Sequence, residues 1–256
     1  MNAPDRTSED RSLRRGDDAS QGPSSPGLPV VAVANRLPVQ RTSSGWDLAP
    51  GGLVTALRPV MEARDGVWVG WDGGEAAAPE RLPSMKIGLR SVRLPKRAID
   101  SFYHGFSNRT LWPLLHNAIE RPVFERSWWD SYRDVNQRFA EVVIDTLDKS
   151  GEALLWIHDY HLMLVPGLVR AERPDQRIGF FLHVPWPSLD IYPRLPWRNE
   201  ILHGLLGADI VSFHTERYRK NFERACGRLL GRDGVTVRGS DVVLAEGRAV
   251  RTTASP

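Results

Sequence analysis

Trp156-Ile157-His158-Asp159-Tyr160-His161 and, further along, Phe180-Phe181-Leu182-His183-Val184-Pro185-Trp186-Pro187 decide the fold. Each is an apolar run that breaks off at His or Asp. A strand buried on both faces of a parallel sheet has this pattern, apolar along its length with a polar side chain delivered at its carboxyl end. Working outward, the pattern repeats. Residues 153–157, 177–182 and 209–213 are predicted strands. Residues 162–170, 196–206 and 215–230 are predicted helices, the last with Thr215 as its N-cap. Strand and helix in alternation predict βαβ units, hence an α/β fold with a parallel sheet covered on both faces. In such sheets ligands bind beyond the carboxyl ends of the strands, where Asp159 and His183 stand.

The first half extends the pattern. A β-rich run over 29–34 stops at Asn35-Arg36, and Gly51-Gly52 precedes a helical spacing of Leu53, Val54, Leu57, Val60 and Met61. Residues 67–71 and 87–94 read as strands. Residues 100–116 mix aromatic and polar groups without a clean period and are expected to form short helices with loops. Residues 126–149 form a long amphipathic helix, with Trp129, Tyr132, Val135, Phe139, Val142, Val143, Thr146 and Leu147 on or near one face. Two or three short strands are expected within 235–253. The Ser-, Asp-, Arg-, Gly- and Pro-rich residues 1–27 are expected to be a disordered tail before a single domain over 28–256.

Bulk properties exclude several classes. The chain has 256 residues, 41% of them hydrophobic and 25% charged, with a formal net charge of +3. No run of five like charges occurs, so nucleic acid is not implied, while a mild cationic bias suits an anionic small molecule. No segment has the apolar length of a membrane span or of a signal-peptide core. Cys226 is the one cysteine, so no intrachain disulfide forms, in keeping with a cytoplasmic protein. Nine tryptophans are many for this length, and those near polar motifs are expected to wall a pocket.

Each polar motif has a plain alternative. Arg36 beyond the first strand can fork onto a phosphate, or simply cap a turn. Gly51-Gly52 at a helix start exposes backbone N–H groups to an anion, or makes a flexible turn; there is no GxGxxG fingerprint. His158-Asp159-Tyr160-His161 has metal-like spacing only if helical, and it straddles a strand end with no third ligand group nearby. Asp159 there serves as an N-cap or, better, as a carboxylate that accepts two sugar hydroxyls, and His161 has the bland place of a first-turn helix residue. His183 is held by the stiff Val-Pro-Trp-Pro exit, and His214 has no assigned role. The aromatic stretch from Phe102 through Trp112-Pro113, like Trp68-Val69-Gly70-Trp71, suits sugar rings and phosphate oxygens, or a small core beneath a loop.

Taken together, Ala34-Asn35-Arg36-Leu37-Pro38, Gly51-Gly52-Leu53, Trp68 through Trp71, Tyr103 through Pro113, Trp156 through His161, Gly179 through Pro187 and Asp209 through Phe222 resemble the trehalose-6-phosphate synthases, retaining glycosyltransferases of family 20. The resemblance implies an α/β fold with a Rossmann-like, doubly wound parallel sheet, the N-terminal half of a GT-B glycosyltransferase. It implies transfer of glucose from a nucleotide-glucose of the UDP-glucose type to glucose 6-phosphate, in trehalose biosynthesis, with no metal or other cofactor and no membrane partner. It implies that Arg36, Trp71, Tyr103, Trp112 and Asp159 hold the acceptor glucose 6-phosphate. It implies that Gly51, Gly52 and His183 lie against the donor, and that His183 and Asp159 flank the reacting centre. Full-length members are expected to be homo-oligomers. The residues that grip the donor diphosphate in this family have no counterpart before Pro256, so the chain is expected to be the acceptor-side half, without the nucleotide-sugar domain and inactive alone. A synthase with another acceptor, such as glycerol 3-phosphate, or a non-catalytic sugar-phosphate-binding module are the rival expectations.

Overall fold

A computed structural model describes residues 27–43, 45–74 and 78–256. The expected tail over 1–27 lies outside the described residues except for Gly27. Seven strands form a parallel sheet in the order β5 (Gly88–Val92), β4 (Val67–Trp71), β1 (Val30–Arg36), β6 (Leu154–His158), β7 (Ile178–Leu182), β8 (Ile210–Phe213) and β11 (Ala249–Ala254). Antiparallel β10 (Asp241–Val243) and β9 (Thr236–Arg238) close the edge beyond β11. A separate hairpin pairs β2 (Val39–Thr42) with β3 (Gly45–Leu48).

Why the strands lie flat between two layers is visible in β1. Val31 and Val33 face the larger core, whereas Val30, Ala32 and Ala34 face the smaller one. A strand buried on both sides can afford no polar residue until it ends, and β1 turns polar only at Asn35. Helices α4 (Arg126–Ser150), α5 (Val165–Glu172), α6 (Arg198–Leu205) and α7 (Glu216–Leu229) cover the first face. Helix α1 (Gly52–Ala63) covers the second through Leu57 and Met61. Thr215 caps α7 by accepting from the Tyr218 N–H at 3.3 Å.

The strand order decides where a ligand can bind. From β1 the chain runs outward to β4 and β5, then returns through α4 to lay β6 on the other side of β1. Between β1 and β6 the winding reverses, and the loops beyond them diverge and leave a crevice.

Two local expectations are corrected. Residues 100–116 are not short helices in loops. A turn, α2 (Lys96–Ala98), leads into a π-helix over Ile99–Leu111 and on into α3 (Trp112–Leu115) without a break. The wider π spiral hid the 3.6-residue period from the sequence. The segment after β6 starts as a 3-10 turn, Tyr160–Leu162, and α5 begins only at Val165. Among the described residues no helix is long and apolar enough to cross a membrane.

Candidate active site

The crevice at the β1–β6 reversal holds a cleft of about 510 Å³ lined by Asn35, Arg36, Gly51, Gly52, Asp159 and His161, with His158 in its wall. Arg36 reaches it because β1 breaks register between Val33 and Arg36, a bulge that re-aims the strand end. Its backbone is pinned there: the Trp68 indole donates to the Arg36 carbonyl at 3.1 Å, and the Leu37 N–H donates to the Trp71 carbonyl at 3.0 Å. Gly70 permits the approach, since a Cβ there would stand 2.6 Å from the Arg36 carbonyl carbon. The guanidinium lies 4.2 Å above the Trp71 ring and 5.9 Å from that of Tyr103. Stacked aromatics hold the cation flat, and among the described residues its N–H groups have no hydrogen-bond partner, leaving them for an anion.

Asp159 sits one residue beyond β6 with φ 75° and ψ 166°, a backbone region that L side chains rarely adopt. The plain alternative of an N-capping side chain does not hold, because the side chain makes no cap hydrogen bond. Its own N–H continues the sheet by donating to the Phe181 carbonyl at 2.8 Å, and its Oδ1 accepts weakly from the His183 N–H at 3.4 Å. Burial raises the carboxyl pKa to about 6, opposed in part by the N–H groups of Tyr160 and His183. Strain of this kind is tolerated where surrounding structure over-determines it, often at a functional site.

That surrounding structure comes from α4. Tyr132 donates its hydroxyl to the Tyr160 carbonyl at 2.8 Å and accepts from the Met163 N–H at 3.0 Å. Asn136 donates to the His161 carbonyl at 3.0 Å and accepts from the Leu164 N–H at 3.1 Å. The irregular turn after β6 therefore has its backbone groups satisfied by two side chains one helical turn apart. Sequence reasoning took Tyr132 as packing and passed over Asn136. The available signal was an amide in the middle of an otherwise apolar helix face.

His161, expected at an ordinary helix start, is instead buried and stacks on Tyr103 at 5.7 Å and 12°. Among the described residues neither ring nitrogen has a hydrogen-bond partner, the Asp159 Oδ2 standing 4.0 Å from Nδ1, and burial with the Arg36 cation nearby lowers its pKa to about 3. His183 follows β7, partly buried. Its Nε2 lies 3.1 Å from His158 Nδ1, and burial, with the His214 ring beside it, lowers its pKa to about 4. Both rings are neutral at neutral pH. Gly51 and Gly52 open α1 with no capping side chain, and a Cβ on either would meet nothing within 4 Å. The fold itself does not demand glycine there, so the open N–H groups lie accessible to a large anion.

The structure thus brings Arg36, Asp159, Gly51 and Gly52 to one cleft, with Trp71 and Tyr103 packed against the Arg36 guanidinium and His183 joined through Asp159 and His158. Trp112 is less closely placed. It is 45% exposed and, among the described residues, approaches the site through the Tyr160 ring, 5.9 Å away. Of the other tryptophans, Trp68 lines the cleft, while Trp129, Trp186 and Trp197 belong to the core. Among the described residues no three His, Cys, Asp or Glu side chains converge as metal ligands would.

A family model for glycosyltransferase family 20 matches residues 28–256. Trehalose-6-phosphate synthase of Mycobacterium ulcerans is 45% identical over 88% of this chain and 48% of its own length, and that of Mycobacterium tuberculosis shows the same figures. The chain spans about half the length of the curated relatives it matches. An E. coli structure described as bound with UDP-2-fluoro glucose superposes with a TM-score of 0.75 at 31% identity, over 89% of this chain and 48% of that one. An α,α-trehalose-phosphate synthase (UDP-forming) from Burkholderia xenovorans in complex with glucose-6-phosphate superposes at 0.72 with 27% identity, over 90% of this chain and 49% of that one. These neighbours are GT-B trehalose-phosphate synthases, which identifies the sheet as the Rossmann-like N-terminal half of that fold.

Proposed function

We propose a function from one premise: the chain belongs to glycosyltransferase family 20. On this reading residues 28–256 form the acceptor-side domain of a trehalose-6-phosphate synthase, which joins glucose from UDP-glucose or a similar donor to glucose 6-phosphate with retention. The observation that carries it is the placement of a stacked cation, Arg36, and a strained carboxylate, Asp159, on adjacent strand ends facing one cleft with a bare helix N-terminus.

Each part has a physical task. Arg36, flattened on Trp71, grips the acceptor phosphate through paired charge-assisted hydrogen bonds, with Tyr103 and Trp112 at the periphery. Asp159 accepts hydrogens from the acceptor hydroxyls, so the charge that is costly in the empty cleft is balanced when sugar arrives. Gly51 and Gly52 let the donor diphosphate approach the N–H groups of α1. His183, neutral at working pH, serves as a hydrogen-bond partner of the donor sugar rather than as a proton source. No side chain in the cleft is needed as general base if the departing phosphate takes the acceptor proton during front-face attack. The protein then acts by positioning and by charge stabilisation. These substrates, with a lone buried Cys226, fit a cytoplasmic setting.

Calorimetry of this chain with glucose 6-phosphate, glucose and glycerol 3-phosphate tests the reading. Binding of glucose 6-phosphate well above the other two supports it. Equal binding of glycerol 3-phosphate would move the assignment to another acceptor, and no binding of any would refute it.

A further inference from the structure

His158 has no part in the roles above, yet it is almost fully buried at the end of β6 beside His183. Its Nδ1 lies 3.1 Å from Nε2 of His183. Its own Nε2 is buried and has no partner among the described residues, although the Trp156 ring packs beside it with centroids 4.9 Å apart. The His183 ring is held in plane by Phe181 and His214, at 4.6 and 5.6 Å between centroids, and its Nδ1 makes no hydrogen bond among the described residues. Burial keeps both rings neutral; the neighbouring His183 lowers the His158 pKa further, and His214 does the same for His183.

A neutral imidazole carries one proton, so a single hydrogen lies between the two facing nitrogens. Two arrangements satisfy that. His183 could donate from Nε2, and then the His158 proton sits on its buried Nε2 as an N–H with no acceptor. Alternatively His158 donates from Nδ1, and the orphaned atom is a lone pair. Buried N–H groups without partners are the rarer defect.

We propose that His158 is a positioning residue that fixes His183 as its Nδ1–H tautomer, leaving that N–H as the ring's one donor for an oxygen of the donor sugar or its phosphate. An isolated neutral histidine side chain prefers the opposite, Nε2–H form, so the tautomer is imposed by the neighbour. The consequence for catalysis rests on the place given to His183 in the proposed function. The tautomer does not.

Long-range 1H–15N correlation spectra of the 15N-labelled chain at neutral pH read each ring nitrogen directly, with His183 assigned through a His183→Gln variant. In the unsubstituted chain His183 is expected to show a protonated Nδ1 and a bare Nε2. His158→Asn keeps a donor near the Nδ1 position and should preserve that pattern. His158→Phe removes it and should move the His183 proton to Nε2. A protonated Nε2 in the unsubstituted chain, or no change in His158→Phe, overturns the proposal. If His158→Phe does not fold, the unsubstituted chain and His158→Asn still decide it. Failure of glucose 6-phosphate to bind would undercut the function while leaving this result intact.

Discussion

Replacing Asp159 with Asn should make the chain more stable, and more so as pH rises. The carboxyl titrates near 6 in the folded chain against an ordinary value of 3.8, because burial penalises the charged form. Above pH 6 the native state carries a carboxylate that the unfolded chain carries at lower cost. The gap corresponds to about 3 kcal/mol. Since 26% of the side chain remains open to the cleft, about 2 kcal/mol is the firmer figure. The sign follows from proton binding. Between pH 3.8 and 6 the native state holds the proton more tightly than the unfolded state, so this group's contribution to stability is full below 3.8 and is lost as pH rises through 6. Asn has nearly the same shape, keeps an oxygen for the His183 N–H and tolerates positive φ, so the substitution removes the charge and little else. The buried histidines titrate in both proteins alike and cancel in the difference. Urea unfolding followed by tryptophan fluorescence at pH 4, 5, 6 and 7 measures it. The variant should match the parent near pH 4 and exceed it by about 2 kcal/mol at pH 7, a midpoint shift on the order of 1 M urea. A gain of equal size at both ends, or none at pH 7, would refute the argument that the buried charge is costly.

Arg36→Ala should weaken glucose 6-phosphate binding roughly 10- to 100-fold, the worth of charge-assisted hydrogen bonds to one phosphate, and leave glucose binding unchanged; calorimetry with both ligands checks this. Asn136→Ala strips the Leu164 N–H and the His161 carbonyl of their partners and should cost about 2–4 kcal/mol in urea unfolding. The parent chain should lose stability as pH falls below 6.5, since His158, His161 and His183 stay neutral when folded down to about 3–4 while the unfolded chain takes up protons. His161→Phe should flatten that slope in thermal denaturation across pH 4–7, and an unchanged slope would show that His161 is not held neutral.

The alternation of apolar runs and helical periods was enough to establish a parallel α/β sheet, because a strand covered on both faces must be apolar until it ends, and β6, β7 and β8 each turn polar at their carboxyl ends. The long apolar face of α4 and the Thr215 cap were legible for the same reason: burial and capping are set by neighbours a few positions away. Local pattern says which side of an element is buried but not what lies against it. Only the tertiary structure put β1 beside β6, and with it Arg36 beside the turn that carries Asp159. The same holds for the His158–His183 contact, for the hold that Tyr132 and Asn136 keep on the turn after β6, and for the positive φ of Asp159. Each joins residues distant in the chain or depends on a partner that arrives from another element, so its energy is realised only once the sheet has closed and the loops at the reversal have nowhere else to go.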